Sequence, residues 1–153
     1  MEQVINDIIK VFVAQTHSAI KVSEIICEHS DRDIMTGHDI ICGLVYRLMV
    51  PMTGQEITEA MEKAEQIMND SDDEAEDYGI LEGAEATEDT ETDHSQDMVG
   101  ESRKIKSNQC NCDICAKMRV CLLNYQTYEP IDDMALKFKN AIEDTCQKHN
   151  IHI

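Results

Sequence analysis

The N-terminal part of the chain carries an uninterrupted helical pattern of apolar side chains. Neither proline nor glycine occurs between Glu2 and His29, and apolar residues recur there at intervals of three and four. At a rise of 1.5 Å per residue, a helix of this length extends about 40 Å, too far for the short elements that follow to cover. We therefore predict that it pairs with a partner chain through the dimer-face candidates Ile5, Ile8, Phe12, Val22 and Ile26.

Two shorter helices are predicted behind the long one. Thr36 can cap a helix that ends at the next proline, and Asp39 lies where its carboxylate can return the capping bond. Thr53 and Glu56 have the spacing of a second capping box, at which a third helix begins. We therefore expect residues 1–68 to form a helical module.

The C-terminal segment, residues 109–153, shows two further amphipathic helices. Glu129 and Pro130 interrupt the helical spacing between them. A short connection of this kind favours an antiparallel helical hairpin, in which the start of the first helix lies near the end of the second. The predicted fold class is therefore all-α.

Charge divides the chain into three parts. Residues 1–64 hold 5 basic and 10 acidic side chains, residues 65–101 hold 15 acidic and no basic ones, and residues 102–153 hold 8 basic and 6 acidic ones, giving a net charge of -18. A segment so rich in Asp and Glu buries too little apolar surface to offset the entropy of ordering. We predict that residues 69–108 are a disordered acidic linker, which either binds basic proteins or is a solubilising spacer.

Composition also restricts the classes of function. The net charge of -18 argues against direct DNA binding. There is no apolar run of membrane-spanning length and no signal peptide, so we expect an intracellular protein that does not bind membranes. Nor does the sequence contain a catalytic triad, a P-loop or a dinucleotide-binding fingerprint. We therefore expect a protein that is not an enzyme.

The loop between the first two helices carries a family resemblance. The long first helix and residues 31–44 resemble the central helix, second loop and third helix of the histone fold. Arg32 precedes Asp39 by seven residues, the spacing at which histones form an ion pair that fixes this loop. The resemblance implies dimerisation with a second copy or with another histone-fold chain. The short first helix of that family is missing here, and an ordinary amphipathic helical hairpin with good caps would show the same features.

The whole layout is similar to a family of uncharacterised proteins from large nucleocytoplasmic DNA viruses. The C-terminal resemblance lies in CNCDIC at 110–115, Tyr-x-x-Tyr-Glu-Pro at 125–130 and LKFKNAI at 136–142, although that family usually has Trp before Glu-Pro. It implies a viral protein located in the host nucleus, a cytoplasmic viral factory or the virion. It leaves the biochemical role open.

The cysteines suggest a metal site. The chain has seven of them, an odd number that favours a reducing compartment. The pair Cys112 and Cys115 can share one tetrahedral Zn²⁺, and further ligands can come from the other end of the predicted hairpin. The candidate ligands are Cys110, Cys112, Cys115, Cys146, His149 and His152. Because a second CxxC pair is absent, reduced cysteines without metal are the favoured interpretation, and zinc binding and redox dithiol chemistry are the alternatives. His17, His29 and His38 are expected to be packing or surface residues.

Two functions follow from these observations. The favoured one is a non-enzymatic interaction module of a large DNA virus, which dimerises through histone-like helices and offers an acidic tract to basic partners. The alternative is a small zinc-binding module that acts in viral transcription or virion assembly. Zinc content of the purified chain would separate the two.

Overall fold

The computed structural model describes residues 1–73 and 103–153. In these residues the fold is all-α, as predicted. The main part of the predicted linker, residues 74–102, lies outside the described residues. At its flanks, residues 69–73 continue the third helix and residues 103–104 form a short strand.

The helices are α1 (Glu2–Glu28), α2 (Gly37–Met49), α3 (Gly54–Asp73), α4 (Asp113–Asn124) and α5 (Asp133–Lys148). A 3-10 turn, Tyr125–Thr127, follows α4. Two short strands, β1 (Arg103–Lys104) and β2 (Ile151–His152), pair in parallel. No helix in the described parts of the chain combines the length and the apolar character that a membrane span requires.

Side-chain caps mark the starts of α2, α3 and α5. At the start of α2, the backbone N–H of Asp39 donates to Thr36 Oγ1 at 3.4 Å, and the N–H of Thr36 donates to the carboxylate of Asp39 at 2.8 Å. Thr53 and Glu56 form an equivalent box at the start of α3. Asp132 caps α5. These bonds satisfy N–H groups that have no partner within a helix.

One hydrophobic core contains residues from both ends of the chain. Helix α2 lies at its centre and packs against α1, α4 and α5. The most buried side chains come from all four of these helices and include Val22, Ile26, Ile41, Val45, Met118 and Ile142. The N-terminal module and the C-terminal helices therefore form one packed unit.

The two C-terminal helices pack mainly on α2 rather than on each other. Tyr125, at the turn between them, is buried in the shared core. Phe138 of α5 stacks on Phe12 of α1, with ring centroids 6.4 Å apart. Helix α5 is therefore positioned by contacts with α1 and α2 in the N-terminal part of the chain.

The structure corrects the predicted dimer face on α1. Val22 and Ile26 are each 3% exposed, because α2 and the C-terminal helices cover them within the same chain. Phe12 is half-buried beside Phe138. Ile5 and Ile8, in contrast, are 52% and 42% exposed. The apolar stripe thus remains uncovered only towards the N-terminal end of α1 among the residues described.

Candidate metal centre

His29 lies at the C-terminal end of α1. Its backbone N–H donates to the carbonyl oxygen of Ile25 at 2.9 Å, and its backbone angles, φ -74° and ψ -2°, continue the helical turn. The chain then turns away through Asp31, whose φ is 55°. The imidazole ring is therefore carried by the end of a long helix.

Three cysteines lie at the start of α4. Cys112 caps the helix, and its sulfur accepts a hydrogen bond from the N–H of Cys115 at 3.4 Å. The sulfur of Cys110 accepts from the N–H of Cys112 at 3.5 Å. The local backbone thus holds the three sulfur atoms close together.

The imidazole of His29 adds a fourth ligand atom to this group. Its Nδ1 lies 3.4 Å from Cys110 Sγ, 3.2 Å from Cys112 Sγ and 3.5 Å from Cys115 Sγ, and all four atoms lie within 4.8 Å of one another. Tetrahedral zinc, with Zn–S bonds of about 2.3 Å and Zn–N bonds of about 2.0 Å, separates nitrogen from sulfur by about 3.5 Å. The same geometry separates two sulfurs by about 3.8 Å. The three nitrogen–sulfur distances therefore fit a Cys₃His zinc site, and the sulfurs, within 4.8 Å of one another, would move closer together around the ion.

The thiols of this group differ in acidity. The hydrogen bond from the N–H of Cys115 is the main reason why the pKa of Cys112 falls to about 6, with smaller contributions from the side chains around it. Cys112 is therefore a thiolate at neutral pH. Burial raises the pKa of Cys115 to about 11. Because Zn²⁺ deprotonates a coordinating thiol, metal binding would release a proton from Cys115.

Asn108 and Arg119 support the cysteine loop. Asn108 Nδ2 donates to Cys115 Sγ at 3.2 Å and to the backbone oxygen of Ile26 at 3.4 Å. The guanidinium of Arg119 donates to the backbone oxygens of Cys110, at 2.6 Å, and of Asn108, at 3.1 Å. Such outer hydrogen bonds orient the ligands of metal sites. Asn108 also ties the cysteine loop directly to α1.

The structure brings a residue outside the predicted ligand set to the fourth position of the cluster. The three cysteines of the CNCDIC segment converge, but Cys146 is buried in the hydrophobic core, where burial raises the pKa of its thiol. His149 follows α5, and His152 lies in β2. His29, which the sequence placed among packing or surface residues, occupies the fourth position instead. It lies 81 positions before Cys110, so no spacing motif could have revealed it.

Arg32, in the loop that follows His29, forms an ion pair with Asp39 of α2. Arg32 Nη1 donates to one carboxylate oxygen of Asp39 at 2.7 Å, and Nη2 donates to the other. Burial by itself raises the pKa of Asp39, but hydrogen bonds from Arg32 and Thr36 outweigh it and leave that pKa below its ordinary value. The pair connects the loop that follows His29 to the start of α2.

The ligand count indicates what a metal here would do. Three sulfurs and one imidazole nitrogen would fill all four positions of a tetrahedral zinc ion. Catalytic zinc sites keep one of these positions for water or substrate. A zinc ion held by all four residues would therefore have a structural role.

Comparison with known proteins gave no relative. No protein-family model, no curated protein and no solved structure matches the chain. The resemblances to the histone fold and to the viral family therefore stay predictions from the sequence.

Proposed function

We propose that this protein is a zinc-binding helical module that acts by binding other proteins rather than by catalysis. Its Cys₃His site would join the end of α1 to the start of α4. The proposal rests on the convergence of four ligand atoms, from position 29 and from positions 110–115, within 4.8 Å of one another. It combines the two functions that the sequence favours.

A small supply of core-forming side chains gives zinc a structural purpose. Aromatic residues make up 4% of the chain, and Trp is absent. In zinc-finger peptides, structural zinc has an apparent binding free energy of about 10–16 kcal/mol, as large as the net stability of about 5–15 kcal/mol of a typical protein. A zinc ion at this place would hold α4 against α1 and so keep its apolar side chains in the shared core.

Reduced cysteines without a metal are the competing explanation. Four cysteines fit that explanation because they are buried away from the cluster: Cys27, Cys42, Cys121 and Cys146. Cys110 and Cys112 differ, since both are only half-buried and lie beside a histidine nitrogen and a third sulfur. This difference favours a metal at the cluster and plain thiols elsewhere.

Metal analysis of the full-length protein tests the proposal. We expect about one zinc per chain, and a loss of helicity and thermal stability when a strong chelator removes it. His29→Ala should lower zinc affinity by at least about a hundredfold, since even outer-sphere changes cost 10–100-fold. His149→Ala, a control taken from the ligands that the sequence predicted, should leave the affinity unchanged. Protein without zinc, or zinc lost from the His149 variant instead, would contradict the proposal.

Self-association is a second candidate function, favoured by the N-terminal end of α1. Ile5 and Ile8 are 52% and 42% exposed, and three neighbouring apolar side chains are exposed to a similar degree: Val4, Ile9 and Val11. Burying such side chains contributes about 25 cal/mol per Å² of apolar surface. We propose that a second copy covers this stripe, because a twofold dimer places the same surface of both chains together.

Sedimentation of the full-length chain measures this association. A double change, Ile5→Glu with Ile8→Glu, should convert a dimer into a monomer. Leu123→Glu on α4 is the matched control, since Leu123 is also apolar and is 83% exposed. An unchanged protein that stays monomeric at high micromolar concentration would contradict this candidate.

The acidic stretch supports a basic protein as a further partner. Residues 65–101 contain 15 acidic and no basic side chains. Binding through such charge should weaken steeply as salt is added. The resemblances imply a setting in a large DNA virus, in transcription or virion assembly. Titration with a basic protein at two salt concentrations, against a variant with Asn and Gln in place of these acids, tests this part of the proposal.

A further inference from the structure

A groove of about 980 Å³ lies where the two ends of the chain meet. Side chains of α1, α2 and β2 form its apolar floor, including Ile26, Ile41, Leu44 and Ile151. None of the residues that bind the candidate metal lines it. The groove is therefore a separate feature of the fold, unrelated to the proposed zinc ligands.

Two lysines stand at the edge of this groove. Lys104 and Lys106 are exposed, while Ile105 between them is 8% exposed and donates its N–H to His152 O at 2.9 Å. Alternate residues of an extended chain point to the same side, and both lysines line the groove. Neither lysine forms an ion pair with any side chain in the described parts of the chain.

The charge of the groove is opposite to that of the whole chain. Lys104 and Lys106 supply cations at the edge of the groove, and His38 and His149 also line it. Asp39 is the one acid among the described lining residues, and Arg32 neutralises it through the paired hydrogen bonds. A protein of net charge -18 thus has a locally cationic groove.

We propose that this groove binds an acidic amphipathic peptide segment of a partner protein. Such a segment places apolar side chains on the floor and carboxylates beside Lys104 and Lys106, which is the pattern of a helix bound in a groove. Nucleic acid fits less well. The described lining contains no Phe, Tyr or Trp on which bases could stack, and the net charge of -18 opposes a phosphate backbone.

Fluorescence anisotropy with the full-length protein tests the inference. The probe is a labelled helical peptide with Leu along one face and Glu along the other. Changing both edge lysines, Lys104→Glu with Lys106→Glu, should weaken its binding by roughly tenfold or more, because two attractive charge pairs become repulsive. The control, Lys63→Glu with Lys137→Glu, changes the net charge equally at exposed positions outside the groove and should leave binding nearly unchanged.

Each alternative has its own result. If both double variants weaken peptide binding equally, the binding is general charge attraction and not binding in the groove. If a control peptide with Ser in place of every Leu binds as well as the original probe, the apolar floor does not contribute. A single-stranded oligonucleotide that binds more tightly than the peptide would assign the groove to nucleic acid. Any of these results, or no peptide binding at high micromolar concentration, overturns the inference. Methyl NMR shifts at Ile26 and Ile151 on peptide addition would support it independently of any variant.

Discussion

Asp39→Asn tests how firmly the loop after His29 is attached to α2. The carboxylate of Asp39 accepts two hydrogen bonds from Arg32 and two from Thr36, and its side chain is 4% exposed. Asn keeps the shape of the side chain but removes the charge and places an amide N–H₂ against the guanidinium. The substitution therefore separates charge from size.

The expected loss follows from the burial of the two partners. Hydrogen bonds to charged groups contribute about 1.5–3 kcal/mol each, but the side chain of Arg32 is 39% exposed, so water replaces part of what it loses. We expect Asp39→Asn to lower the free energy of unfolding by about 2 kcal/mol. Asp39→Ala also leaves the backbone N–H of Thr36 without its side-chain acceptor and should cost about 3 kcal/mol in total.

Urea denaturation at neutral pH measures these losses, with Asp33→Asn, at an exposed position in the same loop, as the control. A cycle with Arg32→Ala should show a coupling of about 1–2 kcal/mol. Because the folded-state pKa of Asp39 lies below its ordinary value of 3.8, its contribution is complete above that pH and is lost as the pH falls through the lower folded-state pKa. Additive losses within error, or parallel acid unfolding of the Asp39→Asn and unchanged proteins, would refute the reasoning.

Four further substitutions test the packing and contacts of the helices. Gly43→Ala should cost about 2–3 kcal/mol, because its Cβ would clash with the backbone and a serine of α1, whereas Gly37→Ala meets open space and should be neutral or slightly stabilising in urea unfolding. Phe138→Ala should cost about 3–4 kcal/mol and reduce hydrogen-exchange protection in α1 as well as α5, since both helices share the core. Glu56→Ala should cost about 1–2 kcal/mol in thermal unfolding, because Arg47, 7% exposed, loses the carboxylate that lies 2.7 Å away.

Helix positions could be predicted from the sequence because the features that determine them are local. Thr36 with Asp39, and Thr53 with Glu56, lie three residues apart, and their side chains reach each other's backbone as soon as one helical turn forms. The absence of Pro and Gly from the first helix is equally local. None of these features depends on what packs against the helix.

The residues that bury the apolar stripe of the first helix could not be predicted in this way. The apolar spacing shows that Val22 and Ile26 belong to a buried stripe, but it does not show what buries them. Side chains such as Met118 and Ile142, from the other end of the chain, share that core. The sequence therefore predicted a partner chain at positions that the same chain covers.

The candidate metal centre could also be predicted only in part from the sequence. The cysteines at 110–115 lie within one short segment, so their spacing alone predicts a chelating group. The fourth candidate ligand atom belongs to His29, which reaches that segment only because α1 and α4 meet around α2. Zinc bound by the C-terminal segment alone would stabilise that segment, whereas zinc bound also by His29 stabilises the contact between the two ends. Since both ends contribute to one hydrophobic core, the identity of this single ligand decides whether metal binding supports a local loop or the whole fold.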